Sequence, residues 1–233
     1  MVYSSFASYY AKKSLSSLQL SRDINVTQKT AWFMLHRIRE VTKLESFSIP
    51  LKSTVEIDET YIGGKEKNKH QNKKTKGTQG RSTKTKTVVI GMIERNGNAK
   101  AQVITKVNSK TIEKIAINNI LIGSTILSDE WGAYKVLEKL YNHEYINHDL
   151  GKYIRSVSTN TIESFWAVFK RGIVGSYSIS KKHIERYLNE FVFRCNHKNY
   201  NVSNMFNAIA ILLNTGNYLS YKALVGRYET QSS

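Results

Sequence analysis

The 233-residue chain is poor in three things: cysteine, proline and acid. It has one cysteine, Cys195, and one proline, Pro50. A single thiol excludes an internal disulfide and a zinc site built on several cysteines. The proline stands where a helical pattern stops and a strand pattern begins, which sets a domain boundary near it. Acids number 18 against 35 Lys and Arg, a net charge of +17 with pI near 9.8. That excess points to a polyanionic partner, with nucleic acid first. An anionic membrane surface ranks second, because no basic amphipathic helix with a clean apolar face is visible. Charge that serves only solubility is the remaining alternative. No run of about 18 apolar residues exists, so no transmembrane span is expected. The first twenty residues lack the ordered basic, apolar and small-residue regions of a signal peptide. A cytoplasmic protein is expected, associated with the nucleoid if its partner is DNA. Hydrophobic residues at 40% suffice for a core, and the length fits one or two domains.

Residues 14–42 pattern as two helices broken at "RDINV", with Thr27 as N-cap of the second. Ala31, Leu35 and Ile38 recur at helical spacing. A short helix, a tight turn and a longer helix make a helix-turn-helix pattern, which would bring Gln28, Lys29 and Arg37 to DNA. The alternative is a helical hairpin that packs on the rest. From residue 52 the period becomes that of strands: "STVEIDETYI", "KTVVIGMIER", a turn at "NGNA" and "KAQVITKV". A helix capped by Ser109 follows, then a short strand "STILSDEW", a short helix "AYKVLEKL", a strand "HEYINH" and three helices. The expected division is 1–48 as an all-α DNA-binding region and 49–233 as a catalytic domain ending in helices. The order β β β α β α β α is that of a ribonuclease-H-like fold, an α/β mixed sheet.

Three acids stand in positions that such a sheet would bring together. Asp58 is at the centre of the first strand, on the Glu56 and Thr60 face; Glu59 falls on the Ile57 face. Asp129 closes the apolar strand "TILSD", where open α/β sheets bind ligands. Glu163 lies beside the apolar stripe Ile162, Phe165, Trp166, Phe169 and Ile173, on a flank shared with Asn160 and Lys170. Each acid alone has an ordinary alternative: a solvated strand residue, a turn cap, a polar helix flank. Together, three hard oxygen donors suit Mg²⁺, and two such ions suit in-line phosphoryl transfer.

The stretches "KTAWFMLHRIRE", "EIDETYIGGKEKNKH", "VVIGMIERNGNAKAQVI", "SDEWGAYKVL", "YINHDLGKYIR" and "TNTIESFWAVFKRGIVGSYSISKKHIERYLNEFVFRCN" resemble the DDE transposases of bacterial insertion sequences, in particular the ISXO-like group. The resemblance covers nearly the whole chain. It implies Asp58 and Asp129 as the first two carboxylates. The third ligand falls in "NTIE", with Asn160 and Glu163 both open and Lys170 further along the helix; charge favours Glu163. It further implies two Mg²⁺ ions (Mn²⁺ substituting), double-stranded DNA as substrate and a homo-oligomeric assembly. Relatives usually begin with a zinc ribbon of paired cysteines, which is missing here. A shorter subtype, a mis-started frame and a truncated remnant are the alternatives. Relatives often carry His where Ser158 stands, while His148 matches. The rival functions are a nuclease of the same fold without strand transfer and a catalytically inactive, transposase-derived DNA-binding protein.

Nine basic residues run from Lys65 to Lys86, among them Lys67, Lys69, Lys73 and Lys74. Such a loop is expected to grip phosphate without reading sequence, unless it is merely solvated. Trp131 and Trp166 are expected in the core rather than under bases.

Overall fold

The computed structural model describes residues 15–46, 49–63, 70–73, 75, 85–129, 132–146, 159–176, 179–215 and 220–225. Helix α1 (Ser17–Asp23) starts at Ser16, whose hydroxyl accepts the Gln19 N–H at 3.1 Å. The chain turns at Asn25, which adopts φ 52°, a left-handed conformation that Asn tolerates better than most residues. Thr27 then accepts the Thr30 N–H at 3.2 Å and opens α2 (Gln28–Ser46), as its sequence position suggests. Ala31 and Leu35 pack with Leu15 and Leu20 between the two helices.

Five strands follow: β1 (Thr54–Ile62), β2 (Thr87–Glu94), β3 (Ala99–Ile104), β4 (Thr125–Asp129) and β5 (Asn142–Ile146). They form one sheet in the order β3-β2-β1-β4-β5. The first three make an antiparallel meander; β4 joins β1, and β5 joins β4, in parallel. Helix α3 (Ser109–Asn119) and a 3₁₀ helix (Gly132–Lys139) connect the later strands; α4 (Asn160–Ser176), α5 (Ile184–Asn196), α6 (Val202–Thr215) and α7 (Tyr221–Val225) complete the chain. This is the ribonuclease-H-like order expected from the sequence. Three local details differ from expectation. Asn108, rather than Ser109, caps α3, its side chain accepting the Thr111 N–H at 2.9 Å. The segment after β4 winds as a 3₁₀ helix, and α7 has no signal in the sequence pattern. No described helix is long and apolar enough to cross a membrane.

Both sheet faces are covered. Val55, Ile57, Ile90 and Met92 pack against Ile112, Ile115 and Ala116 of α3 and Tyr134 and Leu137 of the 3₁₀ helix. The other face, with Ile62, Val89, Ile93 and Ala101, packs against Ile162, Phe165, Trp166 and Phe169 of α4 and Leu188 and Val192 of α5. On this second face lies Glu56, only 1% exposed. Its Oε2 accepts the backbone N–H of Ile162 at 2.9 Å, and its Oε1 accepts the Arg95 Nε–H at 3.0 Å. Ile162 is in the first turn of α4, where backbone N–H groups lack helical partners and the helix end is positive. A carboxylate on β1 therefore fixes where α4 begins.

Helix α2 is bound to α5. Arg39 and Glu190 form a buried pair at 2.5 Å, with Arg39 stacked 3.9 Å from the Tyr187 ring centre. Glu40 with Arg186 at 2.7 Å and Lys43 with Glu185 at 3.1 Å flank it. Ile38 meets Phe193, Met205 and Ile209. At the far end of α5, the Asn196 amide accepts from Ala99 N–H at 2.7 Å and donates to its carbonyl at 3.0 Å, covering the edge of β3.

Glu56→Ala strands a helix N–H and removes one partner of the Arg95 guanidinium, and is expected to lower the unfolding free energy by roughly 2 kcal/mol. Glu56→Gln keeps one acceptor and is expected to cost less. Urea denaturation of the two variants checks the ranking; a wild-type midpoint for Glu56→Ala would contradict the anchoring role.

Candidate metal centre

Parallel pairing of β1 and β4 runs from Thr54↔Thr125 to Glu56↔Leu127. Pairing stops there, and Asp58 and Asp129 lie two residues further along their strands. Both are partly buried, Asp58 at the centre of β1 and Asp129 at the carboxyl end of the neighbouring parallel strand β4. Their charges act on one another. The Asp58 carboxyl is pushed up to about 7, first by burial, then by Glu59 and Asp129, while Lys170 of α4 pulls it down. Asp58, Asp129 and Lys170 are thus brought within electrostatic reach of each other.

The neighbours of Asp58 explain its setting. Across the sheet, Asp58 pairs with Gly91, and Gly91 with Ala101. This row is small, and the Trp166 indole fills the space: a Cβ on Gly91 would lie 2.5 Å from its Cζ2. Trp166 is 3% exposed, in the core as expected. On the opposite face Glu59 is buried, and its Oε2 accepts the Tyr134 hydroxyl at 2.6 Å. Burial, followed by the negative charge of Glu59, holds the Tyr134 phenol well above its ordinary range, so it stays a donor. Glu56 and Glu59 are therefore structural acids with assigned partners, and neither role is visible from strand period alone.

Glu163 is in the first turn of α4, exposed, with its Oε1 accepting from the Thr159 hydroxyl at 3.3 Å. An acid at that position is also favoured by the helix dipole. Asn160 is the exposed first residue of the same helix, and Lys170 is exposed two turns beyond Glu163. Among the described residues, no three His, Cys, Asp or Glu side chains converge closely enough to hold a metal ion. The structure thus gathers Asp58 and Asp129 and leaves Glu163 on the flank of the helix packed beside them. Two carboxylates still suit Mg²⁺, which keeps several waters and is held by one or two carboxylates plus substrate phosphate oxygens. The raised carboxyl of Asp58, crowded by negative charge, is the setting that a divalent cation relieves.

The candidate DNA contacts are spread out. Gln28 is exposed and its amide donates to Ser17 Oγ at 2.8 Å; Lys29 is exposed with its ammonium 4.9 Å from the Tyr221 ring centre. Arg37 is half-buried, its guanidinium 5.9 Å from the Phe33 ring centre. Lys73 ends a short 3₁₀ turn (Gln71–Lys73). Lys65, Lys67, Lys69, Lys74, Trp131, His148 and Ser158 lie outside the described residues. A groove of about 1110 Å³ opens on the other flank of α4, between Thr161, Ser164 and Arg171 and the α5 residues Tyr187 and Arg194. Asp58 and Asp129 do not line it.

Residues 50–196 match the model of the ISXO2-like transposase domain. No curated protein sequence matches the chain. Among solved structures, the Mos1 transposase paired-end complex with left transposon end is similar at 15% identity, covering 94% of this chain and 80% of that one, with a TM-score of 0.38. The catalytic domain of Mos1 mariner transposase is similar at 12% identity, covering 80% and 95%, with a TM-score of 0.39. The HTLV-2 integrase catalytic core domain in complex with magnesium is similar at 12% identity, covering 75% and 93%, with a TM-score of 0.30.

An aspartate raised from 3.8 to about 7 binds more protons folded than unfolded between those values. Stability contributed by Asp58 is therefore greatest below pH 4 and falls as pH rises towards 7. In metal-free buffer, Asp58→Asn is expected to be more stable than wild type at pH 8, by about 2–4 kcal/mol, with the difference vanishing near pH 4. Thermal melts in EDTA across that window test this; a pH-independent difference would contradict it.

Proposed function

Because the chain belongs to the ISXO2-like transposase family, we propose that it cuts DNA at the ends of an insertion element and joins the freed 3′-OH to target DNA. The observation that carries this is the electrostatic proximity of Asp58, in the middle of β1, to Asp129, at the end of the parallel strand β4, with Lys170 in reach. In the first step water attacks the phosphodiester, and the P–O bond to the 3′ oxygen breaks, releasing a 3′-OH. In the second, that hydroxyl attacks a target phosphodiester, and the target's own 3′ oxygen leaves. No covalent bond to the protein is needed.

Asp58 and Asp129 would hold Mg²⁺ or Mn²⁺, with Glu163 or Asn160 as the third group. Two such ions would stabilise the attacking and leaving oxygens of an in-line displacement. The residues themselves have separate tasks. Asp58 would hold the cation as its carboxylate, which the cation's charge favours. Lys170 supplies a fixed positive charge to a phosphate on the same flank of α4. Helix α2 would contact the element ends through Gln28, Lys29 and Arg37, and Lys65, Lys67, Lys69, Lys73 and Lys74 would grip backbone phosphates. The active form is a homo-oligomer acting on nucleoid DNA.

One observation favours a second reading, a catalytically inactive DNA-binding derivative: Glu163 is bonded to Thr159 and is not gathered with the aspartates. Incubating the protein with labelled element-end DNA and Mg²⁺ or Mn²⁺ separates the two. Nicking is expected, with a loss of about 100-fold or more in Asp58→Ala and Asp129→Ala, equivalent to several kcal/mol of charge stabilisation. Binding without nicking supports the second reading. Glu163→Ala is expected to lose more activity than Asn160→Ala; the reverse would transfer the third position to Asn160.

A further inference from the structure

Asp58 and Asp129 repel each other, so something must hold the end of β4 in place. Pairing with β1 extends only as far as Leu127, whereas β4 continues beside β5 to Asp129↔Ile146. Between them stands Ser128, with no exposed surface. Its Oγ donates to the carbonyl of Asp129 at 2.8 Å and is bonded to His143 Nε2 at 2.9 Å. A hydroxyl has one proton to give. With that proton on the Asp129 carbonyl, the second bond must come from His143 Nε2–H. The ring is then the neutral Nε2–H tautomer, with a bare Nδ1. Nδ1 is buried and lies 3.7 Å from Glu138 Oε1, whose negative charge pulls the imidazole the other way from burial. Burial also holds this imidazole below its ordinary range.

We propose that Ser128 and His143 are positioning residues for Asp129: the chain from His143 Nε2–H to Ser128 Oγ to the Asp129 carbonyl fixes the end of β4 at the spacing from Asp58 that admits a divalent cation. The inference rests on the metal reading of the aspartate pair. Ser128 is no nucleophile here: it has no exposed surface, its proton is committed, and Glu138 faces the bare nitrogen of His143 beyond hydrogen-bond range. The triad-like spacing of Ser128, His143 and Glu138 works on the backbone instead. It ties β4, β5 and, by packing, the 3₁₀ helix to one peptide carbonyl.

Mn²⁺ affinity of the metal-free protein, read from the electron paramagnetic resonance of free Mn²⁺, tests this without any activity measurement. A glutamine amide at 143 reaches where Nε2–H lies; an asparagine amide reaches only the Nδ1 position. His143→Gln is expected to bind Mn²⁺ within about threefold of wild type, while His143→Asn and Ser128→Ala weaken binding about 10-fold or more, as outer partners of metal ligands do. Melting curves confirm that each variant is folded. Equal affinity for the Gln and Asn variants, or wild-type affinity for Ser128→Ala, sinks the inference while leaving the metal reading intact. If His143→Asn does not fold, Ser128→Ala against His143→Gln decides. A wild-type protein that binds no Mn²⁺ overturns the metal reading, and this inference with it.

Discussion

The carboxylate of Glu56 joins three parts of the chain that are remote in sequence: β1, the β2–β3 turn at Arg95 and the first turn of α4. Taking a carboxylate out of water is costly, and only full pairing offsets it. Here one oxygen receives a helix N–H and the other a guanidinium. Everything that α4 brings to the site depends on that junction, since Asn160, Glu163, Trp166 and Lys170 all follow from where the helix begins. The register of α4 over β1 is set by a polar contact; the apolar stripe beneath it then fills in.

Two residues further along the same strand face, Asp58 has the opposite condition. It is partly buried and crowded by Glu59 and Asp129, against a backbone hydrogen bond at Glu59 and the charge of Lys170. The fold thus satisfies one acid fully and leaves its neighbour in electrostatic tension. Fully paired and electrostatically crowded carboxylates stand on one strand, and packing rather than residue type separates them. Such tension is common where a site is prepared for a cation that arrives later.

Much of this was legible in the sequence. Strand period put Asp58 at the centre of β1, and an apolar run ending in Asp129 marked the mouth of the sheet. The element order gave the mixed topology, and the stripe from Ile162 to Ile173 gave α4. Two illegible parts share a cause: they depend on pairs remote in sequence. Glu56 meets Ile162 across 106 positions, and Glu59 meets Tyr134 across 75. Strand period assigns a face but not a partner, so these two acids looked idle. The third ligand stayed open for a related reason: helical spacing places Asn160 and Glu163 on one flank but gives no distance to the aspartates. The bond from Ser128 to its own strand's Asp129 carbonyl was hidden for the opposite reason, being too local for any periodic signal.

Helix α5 has a mechanical consequence. Its flank is riveted to α2 by Arg39–Glu190 and the pairs on either side, and its end is clamped to the backbone of Ala99 by Asn196. It is a strut between the N-terminal helices and the outer rim of the sheet. Helix α5 therefore packs against both α2 and β3, and its side chains join the N-terminal helices to the rim of the sheet that carries Asp58.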